Sequence, residues 1–214
     1  MNILKKEKNI ILLSIFIGTF FTIIFMISTK VYSNNIQQGI ADEVIRLHVL
    51  ANSDNPYDQD LKIKVKNGVI QMLKQDLNNS MSKDETRIVL LKNLDKIEQK
   101  ATEIIKQNGY NYNVSAKISF ENFPTKQYAN VVLPAGQYEA LKIEIGEAKG
   151  KNWWCVMFPP LCFVDATFSQ IPKQYDDTLK NILTNEQYDI VTNADNPNNI
   201  PVKIKFKIIE MWQK

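Results

Sequence analysis

Read along the chain, apolar and polar residues change their spacing several times. The first block is the longest: Asn9 to Thr29 is a run of 21 uncharged residues, almost all apolar. About 20 such residues span a bilayer as a helix, whereas a secretory signal carries an apolar stretch of about 7–15. Lys5, Lys6 and Lys8 precede the run, and basic residues there keep the N-terminus cytoplasmic, so the chain beyond Lys30 is expected outside the cytoplasm. Val31-Tyr32-Ser33 ends on a small residue of the kind that precedes a signal-peptidase cut. The segment therefore predicts either a retained anchor or a cleaved signal.

Residues 31–42 read as a short stalk, after which alternation begins. In VIRLHVL, Val44 to Leu50, one face is wholly apolar (Ile45, Leu47, Val49) and the other mixed (Val44, Arg46, His48, Leu50), which predicts a half-buried strand. A helix follows. Asn55 is placed to cap it, Pro56 fits its first position, and Asp58 and Asp60 meet the positive end of its dipole. Leu61, Val65, Val69, Met72 and Leu73 keep one side apolar as far as Leu77–Ser80. Gly68 within it costs about 1 kcal/mol relative to alanine, a sign of close packing against a neighbour. Ser82 and Glu85 stand at capping-box spacing and open a second helix. Its buried stripe is Leu90, Leu91, Leu94, Ile97, Ala101, Ile104 and Ile105, and Gly109 ends it.

From Asn111 the period returns to two. Tyr112, Val114, Ala116, Ile118 and Phe120 alternate with polar residues, and further strands are predicted around Val131 and over Ala140–Gly146, joined by turns at Pro134–Gly136 and Glu147–Lys151. NWWCVMFPPLCF, Asn152 to Phe163, reads as a strand, a reversal at Pro159-Pro160 and a return. Asp176–Leu183 predicts a short helix, Asn193–Asn199 a loop, and Val202, Ile204, Phe206 and Ile208 the inward side of a last strand edged by Lys203, Lys205 and Lys207. The order of elements predicts an α+β fold, with a mostly antiparallel sheet and two long helices packed on one face. The expected organisation is a membrane or signal segment over 1–30, a stalk over 31–42 and one domain over 43–214.

Charge changes the picture only once its location is considered. The 214 residues have a net charge of +3, but Lys5, Lys6, Lys8 and Lys30 account for four of the 26 basic residues and Glu7 for one of the 23 acidic ones. That leaves 22 of each beyond residue 30, with no basic stripe interleaved with aromatics, so a nucleic-acid partner is not expected.

His48 is the only histidine. A zinc site from His48, Cys155 and Cys162 would lack both a fourth ligand and the close ligand pairs such sites use. A thiol hydrolase could draw on Cys155 or Cys162 as nucleophile, His48 as base and Asp54 or Asp165 as orienting acid. Against it, Trp154, Val156, Leu161 and Phe163 surround the cysteines with apolar side chains, which raise a thiol's pKa. No phosphate-binding, dinucleotide-binding, zinc-protease or serine-hydrolase motif is present, and Asp176-Asp177 reads as a helix cap. Neither catalysis, a metal nor a cofactor is expected. In an exported chain the two cysteines are expected to pair, provided the chain turns back at Pro159-Pro160.

IRLHVLANSDNPYDQDLKIKVKNGVI, Ile45 to Ile70, and NWWCVMFPPLCF resemble the two signature segments of the stage II sporulation protein R family of endospore-forming bacteria. That resemblance implies a signalling protein made in the forespore and exported into the intermembrane space of the sporulation septum. There it would activate a membrane-embedded aspartic protease of the mother cell, which processes a pro-sigma factor. Lys66-Asn67 departs from the family helix, where an Arg-Asp pair is expected, so no role carries over for that pair. Partner-binding candidates are His48, Asn52, Ser53 and Asp54 in the first segment and Trp153, Trp154, Phe158, Pro159 and Pro160 in the second. Asn52, Ser53 and Asp54 have a plainer reading as turn and cap residues. Trp153 and Trp154, as strand neighbours, point to opposite faces, so only one of them enters a given core. An exported thiol hydrolase and a structural envelope protein are the alternatives.

Overall fold

The computed structural model describes residues 2–163 and 169–193. Asp165 and the expected strand at Val202–Ile208 lie outside them, as does the expected loop apart from Asn193.

The N-terminal segment is helix α1, Asn2–Glu43. Among the described residues it is the one helix long and apolar enough to cross a membrane: its apolar window has a mean hydropathy of 2.8 and none of it is buried. An all-round apolar helix without a protein core against it calls for an apolar solvent. Residues up to Ile36 belong to one compact unit and Gln37–Pro201 form another. The expected stalk is thus helical, and its last turn joins the second unit, where Ile40 and Ala41 are buried.

That unit is built on a mixed four-stranded sheet in the order β2 (Val114–Phe123), β5 (Gly136–Ile145), β1 (Ile45–Leu50), β6 (Asn152–Phe158). The fold class is the expected α+β. The outer pairings, β2 with β5 and β1 with β6, are antiparallel, while β1 and β5 run parallel. The parallel pair arises because the long chain between β1 and β5 lets the two strands meet without a hairpin. A separate hairpin, β3 (Lys126–Tyr128) with β4 (Val131–Leu133), stands between β2 and β5 in sequence.

Helix α2, Pro56–Asn79, starts as its sequence dictates, with the Asn55 side chain accepting from the Tyr57 N–H at 3.0 Å. The second expected helix divides at Asn93 into α3, Lys83–Lys92, and α4, Leu94–Gln107. Asn93 donates its side-chain amide to the Val89 carbonyl, and an asparagine that bonds its own backbone competes with helix continuation. The capping box is half formed: Ser82 accepts from the Glu85 N–H, but the Glu85 carboxylate accepts from Met81 rather than Ser82. Because of the division Leu91 faces solvent, while Leu90, Ile97, Ala101, Ile104 and Ile105 are buried as expected. A Cβ on Gly68 would collide with the end of Ile104, so α2 and α4 cross closely where the chain lacks a side chain.

These helices cover one face of the sheet. Ile45, Leu47 and Val49 of β1, Leu141, Ile143 and Ile145 of β5, and Cys155 and Met157 of β6 pack there against Leu61, Val65, Val69, Ile97 and Ile105. A bidentate ion pair at its margin ties α3 to β5: Arg87 donates through Nε and Nη2 to both oxygens of Glu139, at 2.5 and 2.7 Å. The expectation of a half-buried β1 is corrected by the opposite face, where Arg46 is fully buried and His48 is 5% exposed. β1 is an inner strand, and Phe123, Tyr128, Tyr138 and Trp154 close over its mixed side. The chain from β6 does not return as a strand: a 3-10 turn, Leu161–Phe163, follows Pro159-Pro160. Helix α5, Lys173–Ile182, begins three residues before the expected position, and α6, Asn185–Thr192, follows with a complete capping box from Thr184 and Gln187.

Candidate functional site

The two unusual segments of the sequence meet strand to strand. In the β1–β6 pairing Leu47 lies opposite Cys155, His48 opposite Trp154, Val49 opposite Trp153 and Leu50 opposite Asn152. Strand alternation then divides the site between the two faces. Cys155 and Trp153 join the helix side, and His48 and Trp154 the other.

On the second side the His48 ring stacks on Trp154, with centroids 4.0 Å apart and planes 19° from parallel. Its Nε2 is 2.8 Å from Asn152 Oδ1 and its Nδ1 3.6 Å from Glu121 Oε2. Glu121 also faces Lys142 Nζ at 3.4 Å and accepts from Ser119 at 2.8 Å, and Lys142 reaches Glu144 at 3.0 Å. Burial lowers the His48 pKa below its ordinary value, against the opposing pull of Asn152 and Glu121. The ring is therefore a neutral, stacked element at neutral pH.

Beside it Arg46 sits in an aromatic box. Its guanidinium carbon lies 4.1 Å from the Phe123 ring centre, 4.8 Å from Tyr138 and 5.9 Å from Tyr128. Nη2 donates to Tyr128 Oη at 2.8 Å, and that hydroxyl donates on to the Trp154 carbonyl at 3.3 Å. Nε and Nη1 are buried without a hydrogen-bond partner. Ring faces supply the attraction that a carboxylate usually would. Burial drives the Tyr138 hydroxyl up to about 12, so it stays protonated and donates to the Pro134 carbonyl at 2.8 Å.

On the helix side Trp153 is half-buried against the core, with Lys66 Nζ 4.2 Å above its ring. Burial lowers the Lys66 pKa. Lys66, the basic half of the Lys66-Asn67 departure, is thus engaged with the second segment. Both tryptophans are partly covered, one on each face, and the expected division between faces holds.

Asn52, Ser53 and Asp54 are used inside the fold. Asn52 Nδ2 and Ser53 Oγ both donate to Asp58 Oδ2, at 2.9 and 2.6 Å. Asn52 Oδ1 accepts from the Glu147 N–H at 3.0 Å and Asp54 Oδ1 from the Lys151 N–H at 2.6 Å. Gly146, at a φ of +60°, leaves the room that Asn52 fills. These bonds fasten the start of α2 to the turn before β6, so the first segment holds the second in register. Burial raises the Asp58 pKa, but the bonds from Ser53, Asn52 and Tyr112 outweigh it and keep the carboxylate low.

Phe158, Pro159 and Pro160 are buried, the Phe158–Pro159 peptide is cis, and Cys155 and Cys162 form a disulfide with Cα atoms 5.6 Å apart. Phe158 and Pro160 line a groove of about 370 Å³ with Leu77, Met81, Tyr175 and Ile182. No thiol is free, and His48 lies across the sheet from Cys155, so the thiol, imidazole and acid of the hydrolase alternative are not brought together. Among the described residues no group of three His, Cys, Asp or Glu side chains gathers as a metal site.

Reading the sequence missed the residues that complete the second side: Arg46 as a boxed cation, and Glu121, Lys142 and Asn152 around His48. An arginine and a histidine on one face of a strand whose other face is wholly apolar were the available signal.

Residues 41–168 match the family model for stage II sporulation protein R. This chain belongs to that family. It is 40% identical over 145 residues to a stage II sporulation protein R of Bacillus subtilis (strain 168), a match that covers 68% of this chain and 65% of that protein. The matched part thus spans a little under two thirds of the relative. No solved structure matches the chain. Both segments of the site fall within the family match.

Proposed function

We propose that this protein is an exported signalling protein of sporulation that activates a membrane-embedded aspartic protease, which then processes a pro-sigma factor. The observation that carries this reading is the family match over residues 41–168, which contains the paired β1 and β6 segments. The apolar α1 supports a membrane-attached or exported chain, held outside the cytoplasm by its basic N-terminal flank. On this reading the protein acts by binding, and the protease is its partner in the intermembrane space of the septum. Binding activates only if it favours the active arrangement of the protease over the inactive one. A rigid, cross-strapped surface suits such a task because little order has to be created on contact. Trp154 and Asn152, backed by the buried His48, on one side, and Trp153 with Lys66 on the other, are the proposed contacts.

Co-expression of the protease, its pro-sigma substrate and this protein in a host that does not sporulate tests the reading. Processing is expected only when all three are present. Unprocessed substrate beside stably made protein would refute it.

A further inference from the structure

Among the described residues, the sheet has a long edge that no other strand pairs with on its outer side. β2 bonds only to β5 among the described residues and ends the sheet over ten residues. The Asn113 carbonyl accepts from Gly146, so odd-numbered residues turn their backbone groups toward β5, and Ala116, whose N–H is taken by Glu98 at 2.7 Å, faces outward. Backbone orientation alternates along a strand, so Ile118, Phe120 and Asn122 present N–H and C=O groups outward as well. Phe120 is 67% exposed. Such an edge is a template for another strand.

The sequence of the edge is complementary to itself. In an antiparallel pairing of two β2 strands centred on Ser119, Lys117 stands opposite Glu121 of the second copy and Ile118 opposite its Phe120, each twice by symmetry. Outward-facing residues must meet outward-facing ones, which allows only whole-residue shifts of the centre. Centring on Ile118 puts Lys117 opposite a serine, and centring on Phe120 puts it opposite Phe123. Only the Ser119 register pairs the charges and covers both exposed phenylalanines, and aromatic residues opposite β-branched ones are favourable cross-strand pairs. It also forms its central bonds through Ile118 and Phe120, leaving the Glu98 contact with Ala116 in place.

We infer that β2 pairs two-fold and antiparallel with β2 of a second copy of this chain, joining two four-stranded sheets into one across Ser119. This dimer does not depend on the signalling reading.

The full chain, in the membranes of a host that makes it, carries the test. Both native cysteines are bonded to each other, so an introduced thiol reports alone. In the proposed register the two Ser119 Cα atoms stand about 4.5 Å apart in a non-hydrogen-bonded pair, within disulfide range. Ser119→Cys is expected to yield a covalent dimer on oxidation. Ser115→Cys is not, since its two copies lie eight positions apart along the paired strands, roughly 27 Å. In the Ser119→Cys background, Lys117→Glu or Glu121→Lys sets like charges opposite each other twice and is expected to lower the dimer yield about tenfold. Carrying both changes in one chain, or mixing the two single variants, restores it. Equal cross-linking from positions 115 and 119, no dimer from either, a cross-link only to another protein, or failure of the charge swap to restore the dimer would each overturn the inference. Sedimentation of the unmodified full chain in detergent reads the same dimer without a mutation, and a monomer there would also overturn it.

Discussion

The helix-covered face of the sheet and the face opposite are made from alternate residues of the same strands. At the centre of the first, every β1 neighbour is apolar: Leu47 meets Leu141 and Cys155. At the centre of the second, His48 meets Lys142 and Trp154, and Arg46 is enclosed by three rings. Close-packed aliphatic contacts stabilise the first face, and any lost methylene is felt there. The second holds polar groups out of water, where desolvation cancels much of what their interactions contribute. A protein that needed only to fold would have little use for the second arrangement, so we place one set of the proposed contacts, Trp154 and Asn152, at its margin.

Three substitutions separate the faces. The largest effect is expected from Leu47→Ala, which empties a fully buried site under α2 and should cost about 2–5 kcal/mol. Denaturant unfolding of the disulfide-intact domain measures it. A cost near zero would mean that the helix face is not the main core.

A smaller effect should follow pH. His48 titrates below its ordinary 6.5 because it is buried, so the folded state resists protonation. Its contribution is complete above about pH 6.5 and is lost as the pH falls through the lower folded value. Trp154, Phe123, Asn152, Glu121 and Lys142 face the ring. The low-titrating carboxylates Glu139, Glu144 and Asp58 affect stability only further into acid. Between pH 7 and 5 the unfolding midpoint should decline in the parent and flatten in His48→Gln. Parallel curves would remove His48 from the account.

The smallest change in stability is expected for Arg46→Met. It gives up the Tyr128 bond and the ring contacts, but also two buried N–H groups without partners, and apolar replacements of buried charges are often neutral or stabilising. Thermal unfolding should show a difference within about 1 kcal/mol of the parent. A loss comparable to that of Leu47→Ala would mean that the aromatic box is a structural centre in its own right.

Much of the fold was legible. The Asn55 cap, the close approach at Gly68 and the apolar stripe of α4 depend on neighbours a few residues away, and local spacing records such relations. The same locality explains the misses. Phe120 continued an apolar alternation but stands exposed on the edge strand, while Phe123, on the opposite side of the same strand, is buried. β3 is three residues long, too short to leave a period. The site was legible as two segments and not as a place: nothing in either segment states that β1 and β6 are adjacent strands.

The order and type of most elements, the apolar leader, the pairing of the two cysteines and the opposite directions of Trp153 and Trp154 were decided by composition and periodicity, which act along the chain. Tertiary structure alone decided that β1 runs parallel to β5, that Arg46 and His48 are covered, and that Asn52 and Asp54 fasten a turn some 95 residues away. Those outcomes depend on which strands meet and on what closes over them. Burial and hydrogen bonding between distant residues belong to the packed chain and have no local signature.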